Sequence, residues 1–291
     1  MKVLKYLSII CVAIISLLLV GCQQNDETKS QTYSIGVVGD VSKEIWEGVA
    51  DQLKGENIDL EIVTFSDYNA PNAALEEQET DLNAYQHVAF LDAYADDKGG
   101  TNIVPVAYTI VSPMYIFSVD DIPDIDSIPD GVKVAVSNSP TNAERAYLGL
   151  KDIGLIELDD KAGFAPTKGD ITKNLKDIHI IEMEPSQIAR SLGDADLITV
   201  GGDMLTDAGL NPKDAIYVDT YDASNIDPLK KNVIATTKDK VDDPNIQKII
   251  NAYQSDENAK RIKEISGGSS IPIWQDNDDP QKDFKNVREK S

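Results

Sequence analysis

The residues best placed to do chemistry lie in SNSPTNAERAY, Ser137 to Tyr147. A β-branched run, VKVAVSN, precedes Ser139-Pro140 and reads as a buried strand. Thr141 with Glu144 three residues later is a capping-box pattern, which predicts a helix with Thr141 as N-cap. Arg145 then takes the fourth helical position, where a cation opposes the positive end of the helix dipole. Either its guanidinium snorkels to a nearby carboxylate, or it faces an anion that uses both the arginine and the helix terminus.

Other chemistries find little support. The chain has no G-x-S-x-G elbow, no H-E-x-x-H and no G-x-x-x-x-G-K-[ST]. Carboxylate pairs carry no diagnostic weight among 50 acidic residues. The only histidines are His87 and His179, so zinc or manganese capture would need carboxylates as well. His179 alternates within a strand and reads as structural. The sequence therefore predicts no enzyme, no metal site and no cofactor.

The elements that must position Arg145 belong to a chain of 291 residues with a formal net charge of −23. Loss of two leader lysines takes the mature value to −25. Such a charge repels nucleic acid, and no basic, aromatic-interleaved stripe offsets it. Residues 1–21 read as a lipoprotein signal peptide. Lys2 and Lys5 form its charged start, and Tyr6 to Val20 is too short for a membrane span of roughly 20 residues. Leu19-Val20-Gly21-Cys22 resembles a bacterial lipobox, which is cut before its cysteine. Cys11 lies in the leader, so Cys22 is the only mature cysteine and is assigned to acylation. Two acyl chains give a durable anchor. Residues 22–32 read as a flexible tether on the extracytoplasmic side of the cell membrane.

Beyond the tether, strands are predicted at Tyr33 to Val38, Ile58 to Phe65, Asn102 to Ser112, Met114 to Val119, Val132 to Val136, Asp177 to Met183, Asp196 to Val200 and Val233 to Thr236. Helices are predicted at Ser42 to Leu53, Pro71 to Glu77, Asn142 to about Ile153, Glu184 to about Leu192 and Pro244 to Gln254. The βαβ opening points to a parallel sheet. The alternation fits two α/β lobes. The charged residues 276–291 read as a disordered tail.

Several long motifs, in order, resemble the NlpA/MetQ lipoprotein family, the methionine-type substrate-binding proteins of ABC importers. They include DYNAPNAALEEQETDLNAYQH (Asp67 to His87), IPDGVKVAVSNSPTNAERAYLGLKDIGLI (Ile128 to Ile156), DITKNLKDIHIIEMEPSQIARSLGDADL (Asp170 to Leu197), AGLNPKDAI (Ala208 to Ile216), AYQSDE (Ala252 to Glu257) and GGSSIPIW (Gly267 to Trp274). The resemblance implies a two-lobed, periplasmic-binding-protein-like α/β fold with a two-stranded hinge. Residues 33–113 and 232–275 would form one lobe and 114–231 the other. It implies a monomer that captures methionine, a related amino acid or a small peptide. The partners implied are a membrane permease and its ATPase.

The resemblance also assigns residues. Arg145 and Asn142 in PTNAERA match the motif whose arginine grips the ligand carboxylate, a bidentate task suited to guanidinium. Tyr68, Tyr85, His87 and Phe90 match the enclosure of the ligand side chain, with Ala89 in place of a usual proline. Asn232 matches an asparagine that binds the polar end. Two departures stand out. LITVGGDML carries Gly201 where the family has an asparagine, and Asp203 then becomes a candidate partner for an ammonium. SPMYIFS places Tyr115 at a glycine position, either filling part of the cleft or packing away from it. The competing reading is an interaction or adhesion lipoprotein that kept the fold and lost its ligand.

Overall fold

The computed structural model describes residues 30–162, 166–219 and 226–289. The chain forms two compact units, Met1–Gln31 and Thr32–Ser291. The first lies almost wholly outside the described residues, and with it the leader and Cys22.

The second unit opens with β1 (Gln31–Val38), α1 (Asp40–Leu53) and β2 (Ile58–Phe65). β1 thus begins at Gln31, inside the predicted tether. α1 turns Val41, Ile45, Trp46, Val49 and Leu53 inward, a spacing that lays one apolar stripe on the sheet. α2 (Ala70–Glu76), β3 (Leu82–Asn83), α3 (Val88–Lys98) and β4 (Ile103–Val111) follow. The chain then crosses at Ser112 and Pro113 to β5 (Met114–Ser118). It continues through β6 (Lys133–Ser137), α4 (Pro140–Asp152), the β7 (Ile156–Leu158) and β8 (Ile171–Asn174) hairpin, and β9 (His179–Met183). α5 (Pro185–Ile188), β10 (Leu197–Gly201) and β11 (Tyr217–Val218) complete that half. The chain returns through β12 (Lys231–Thr237), α6 (Pro244–Tyr253), α7 (Asp256–Ile265), β13 (Ile271–Pro272) and α8 (Pro280–Arg288).

Two large sheets result, with β7 and β8 paired apart from them. The first has the order β13-β4-β12-β3-β1-β2, the second β11-β5-β10-β6-β9. Neither is purely parallel. β1 runs parallel to β3, but β12 is antiparallel to both β3 and β4. In the second sheet β6, β9 and β10 are parallel and β5 is antiparallel to β10. The returning β12 enters the first sheet against the direction set by the opening βαβ unit, which local pattern could not convey. Each sheet has its own apolar core. Trp46 stacks on Tyr253 at 4.6 Å in the first, and Tyr147, Leu150 and Ile116 fill the second. A third cluster spans both halves, with Val38, Tyr68 and Tyr85 meeting Phe117, Ile188, Ile198 and Met204.

The predicted disordered tail is corrected by α8. Asp279 accepts from the Lys282 N–H, Pro280 sits at N1, and Phe284 is buried. Tyr108 Oη donates to Asp283 at 2.7 Å, and Arg288 pairs with Asp92 and Asp96 of α3. High charge hid a short apolar face, Pro280, Phe284 and Val287, that needs only one groove to fold against. α3 and α7 also escaped pattern reading. α3 starts at a histidine cap, and α7 buries only Asn258 and Ile262.

Candidate functional site

A small cavity of about 40 Å³ lies where strand ends from both sheets converge. Ser137 ends β6, Gly201 ends β10, Ser112 follows β4, and Tyr85 to His87 follow β3. Carboxyl ends of strands are the usual place for ligands in open α/β sheets.

Arg145 lines this cavity and is buried. The helix that carries it starts earlier than the capping pattern predicts. Ser139, not Thr141, is the N-cap, and its carbonyl accepts from the Asn142 and Ala143 N–H groups. Proline is pre-organised for N1, so Pro140 sets the start and Thr141 becomes the second helical residue. Arg145 therefore sits in the second turn, where the dipole penalty has faded. Its Nη2 donates to the Ser112 carbonyl at 2.9 Å and to Asp219 Oδ2 at 3.0 Å. Asp219 in turn accepts from the Met114 N–H at 2.6 Å. Both readings of Arg145 thus meet in one place: it has an internal carboxylate and it faces the cavity. Sequence reasoning missed Asp219 and Ser112, because no local signal ties residue 219 to residue 145.

His87 is the N-cap of α3. Its Nδ1 accepts from the Phe90 N–H at 3.1 Å, which puts the ring proton on Nε2, 3.2 Å from Asn142 Oδ1. Burial, then the nearby Arg145 charge, lowers its pKa to about 4. The imidazole is therefore a neutral donor that links the two sheets' elements. Asn142 lines the cavity beside it.

Tyr68, Tyr85 and Phe90 form a mutual edge-to-face trio, with ring centroids 5.8 to 6.1 Å apart. This geometry suits the aromatic quadrupoles and builds an apolar wall with polar tips. Among the described residues the buried Tyr85 hydroxyl finds no hydrogen-bond partner, and burial pushes its pKa well up. The backbone carrying Tyr85 and His87 rests on a buried amide network. Asn72 and Gln86 exchange bonds of 2.8 and 2.7 Å, and Asn83 donates to Asn72 at 2.9 Å. Asn232 is buried, lines the cavity and forms an antiparallel bridge with His87.

The two departures resolve differently. Asp203 lines the cavity, and its carboxylate accepts from Tyr68 Oη at 3.0 Å and Ser112 Oγ at 2.9 Å. A Cβ built at Gly201 would stand 2.5 Å from Asp203 Oδ1. Of the two alternatives for Tyr115, the packing-away one matches its place outside the cavity lining. Successive strand residues face opposite ways, and Met114 is the one turned to the cavity. Tyr115 is buried with its ring 6.1 Å from Phe117, beneath Gly202. Thr199, Met204, Pro185 and Ile188 complete the lining without having been predicted.

Among the described residues no cluster of His, Cys, Asp and Glu could hold a metal, and no helix is long and apolar enough to cross a membrane.

Known proteins share this fold. The NlpA lipoprotein family model matches residues 34–274. The D-methionine-binding lipoprotein MetQ of Salmonella typhimurium is 38% identical over 264 residues, covering 89% of this chain and 94% of its own. The solved substrate-binding protein of a methionine transporter from Streptococcus pneumoniae is 33% identical, with a TM-score of 0.77 over 84% of this chain and 96% of its own. A nutrient-binding protein from Burkholderia cenocepacia, solved bound to methionine, is 32% identical, with a TM-score of 0.76 over 82% of this chain and 99% of its own.

Proposed function

The chain belongs to the NlpA lipoprotein family, and from that premise we propose that it captures methionine, or a closely related amino acid or small peptide, for an ABC importer. The observation that supports this reading best is the cavity, which is lined both by Arg145 on α4 and by the Tyr68, Tyr85 and Phe90 wall. A carboxylate would pair with the guanidinium, and a thioether would lie against aromatic edges. Asn142, His87 and Asn232 add polar contacts around the ligand's head group.

Ligand bound to both sheets favours the closed arrangement by differential affinity. In this reading residues 33–113 with 232–275, and α8 packed against them, form one lobe and 114–231 the other. The protein acts as a monomer, performs no catalysis and uses no cofactor. Acylated Cys22 holds it on the extracytoplasmic side of the membrane, where it delivers ligand to a permease driven by its ATPase.

A thermal-shift screen of amino acids and methionine dipeptides tests the proposal. Stabilisation by methionine or a relative is the expected result. No stabilisation by any of them would overturn it in favour of an interaction lipoprotein.

A further inference from the structure

We infer that Asp203 reads the ligand's ammonium, so that this receptor requires a free, unacylated amino group; the inference rests on the amino-acid reading of the cavity.

Asp203 lines the cavity, and its carboxylate accepts there from two neutral hydroxyls, Tyr68 and Ser112. Burial, then the charge of Asp203, drives the Tyr68 pKa well up, which keeps that hydroxyl a donor. A carboxylate has room for about four hydrogen bonds, so acceptor capacity remains. Among the described residues no basic side chain lies within ion-pair distance of Asp203, whereas Arg145 has Asp219.

Position completes it. Ser112 touches both charge centres. Its carbonyl takes Arg145 Nη2 at 2.9 Å, and its hydroxyl gives to Asp203 Oδ1 at 2.9 Å. A cationic and an anionic group thus line one cavity with a single residue between them, a dipole complementary to a zwitterion. Gly201 makes the placement feasible. A side chain there would collide with Asp203 Oδ1, so the glycine and the aspartate are a matched pair. The family-like asparagine at 201 would present both a donor and an acceptor. Asp203 presents only acceptors and a full negative charge. N-acylation removes the ligand's positive charge and brings a carbonyl dipole against that carboxylate.

The test is calorimetric titration of wild type and D203N with L-methionine and N-acetyl-L-methionine. Asparagine at 203 retains an acceptor for Tyr68 or Ser112, and an unchanged thermal unfolding midpoint verifies the fold. Wild type is expected to bind the N-acetyl compound about 100-fold more weakly. D203N is expected to lose about 10- to 100-fold for methionine and little for the N-acetyl compound, collapsing the ratio. Wild-type binding of both ligands within threefold overturns the inference alone, as does an equal loss of both in D203N, which marks a structural role. Binding of neither ligand by wild type overturns the amino-acid reading and this inference together.

Discussion

The buried Arg145 and the partly buried Asp219 form an ion pair at the cavity, Nη2 to Oδ2 at 3.0 Å, although 74 residues separate them. The pair holds the guanidinium in place before any ligand arrives. Removing the arginine therefore does two things: it deletes the proposed ligand anchor and it takes the guanidinium from the Asp219 carboxylate.

Arg145→Ala should weaken ligand binding by about 3–5 kcal/mol, because one member of a buried charged contact is lost. Arg145→Ala with Asp219→Asn separates the two effects. The double variant should recover much of the lost thermal stability and none of the affinity. Calorimetry on both variants checks this, and recovered affinity would show that Arg145 matters only as Asp219's partner.

His87 should make stability depend on pH in a defined window. Its pKa falls from an ordinary value near 6.5 when unfolded to about 4 when folded. Between these values the unfolded chain binds the extra proton, so stability declines as pH falls from about 6.5 to about 4. The contribution lost is up to about 3 kcal/mol. His87→Gln should flatten that part of the curve of unfolding midpoint against pH. An identical slope in both proteins would exclude His87 as the cause.

Asp207 should act as a latch between the halves. α1 has Gly39 at its N-cap and no capping side chain of its own, and Asp207 supplies one from the other sheet's half. Its carboxylate accepts from the Asp40 and Val41 N–H groups at 3.0 Å each. Asp207→Ala should cost about 1 kcal/mol, as loss of a cap does. It should also enlarge the ligand-free protein's radius of gyration in X-ray scattering. Unfolding midpoints and scattering curves that match wild type would remove the latch.

α8 should be structural. Phe284→Ala is expected to destabilise the protein by about 3–5 kcal/mol, the range for deleting a buried phenylalanine. Truncation after Asp278 should do at least as much and release Tyr108 from Asp283. Denaturant unfolding measures both, and a change below about 0.5 kcal/mol would mark the helix as dispensable.

Most strands and the main helices were legible from the chain. β-branched runs mark β2 and β6, and helical spacing marks α1 and α6. The candidate residues Arg145, Tyr68, Tyr85, His87, Phe90 and Asn232 are named through motif resemblance, and the folded chain brings all of them to one cavity. Thr141 misled because the capping box is a local statistic, and Pro140 outcompetes it one residue earlier. Asp219, Ser112 and the Asn72–Asn83–Gln86 network carry no local signature, since an isolated Ser, Asn or Asp reads as a turn or a solvated residue.

By itself, then, the sequence determined the element types, the family resemblance, the acidic charge and the motif that carries Arg145. These follow from short-range preferences, which each segment expresses alone. Only tertiary structure decided that Tyr115 turns away from the cavity, that Asp219 reaches Arg145, that Asp207 caps α1, and that Asp203 fills the space left by Gly201. The physical reason is common to all four. Side-chain partners are chosen by which strand ends and loops meet when the two sheets pack, and that meeting depends on contacts between residues far apart in the chain.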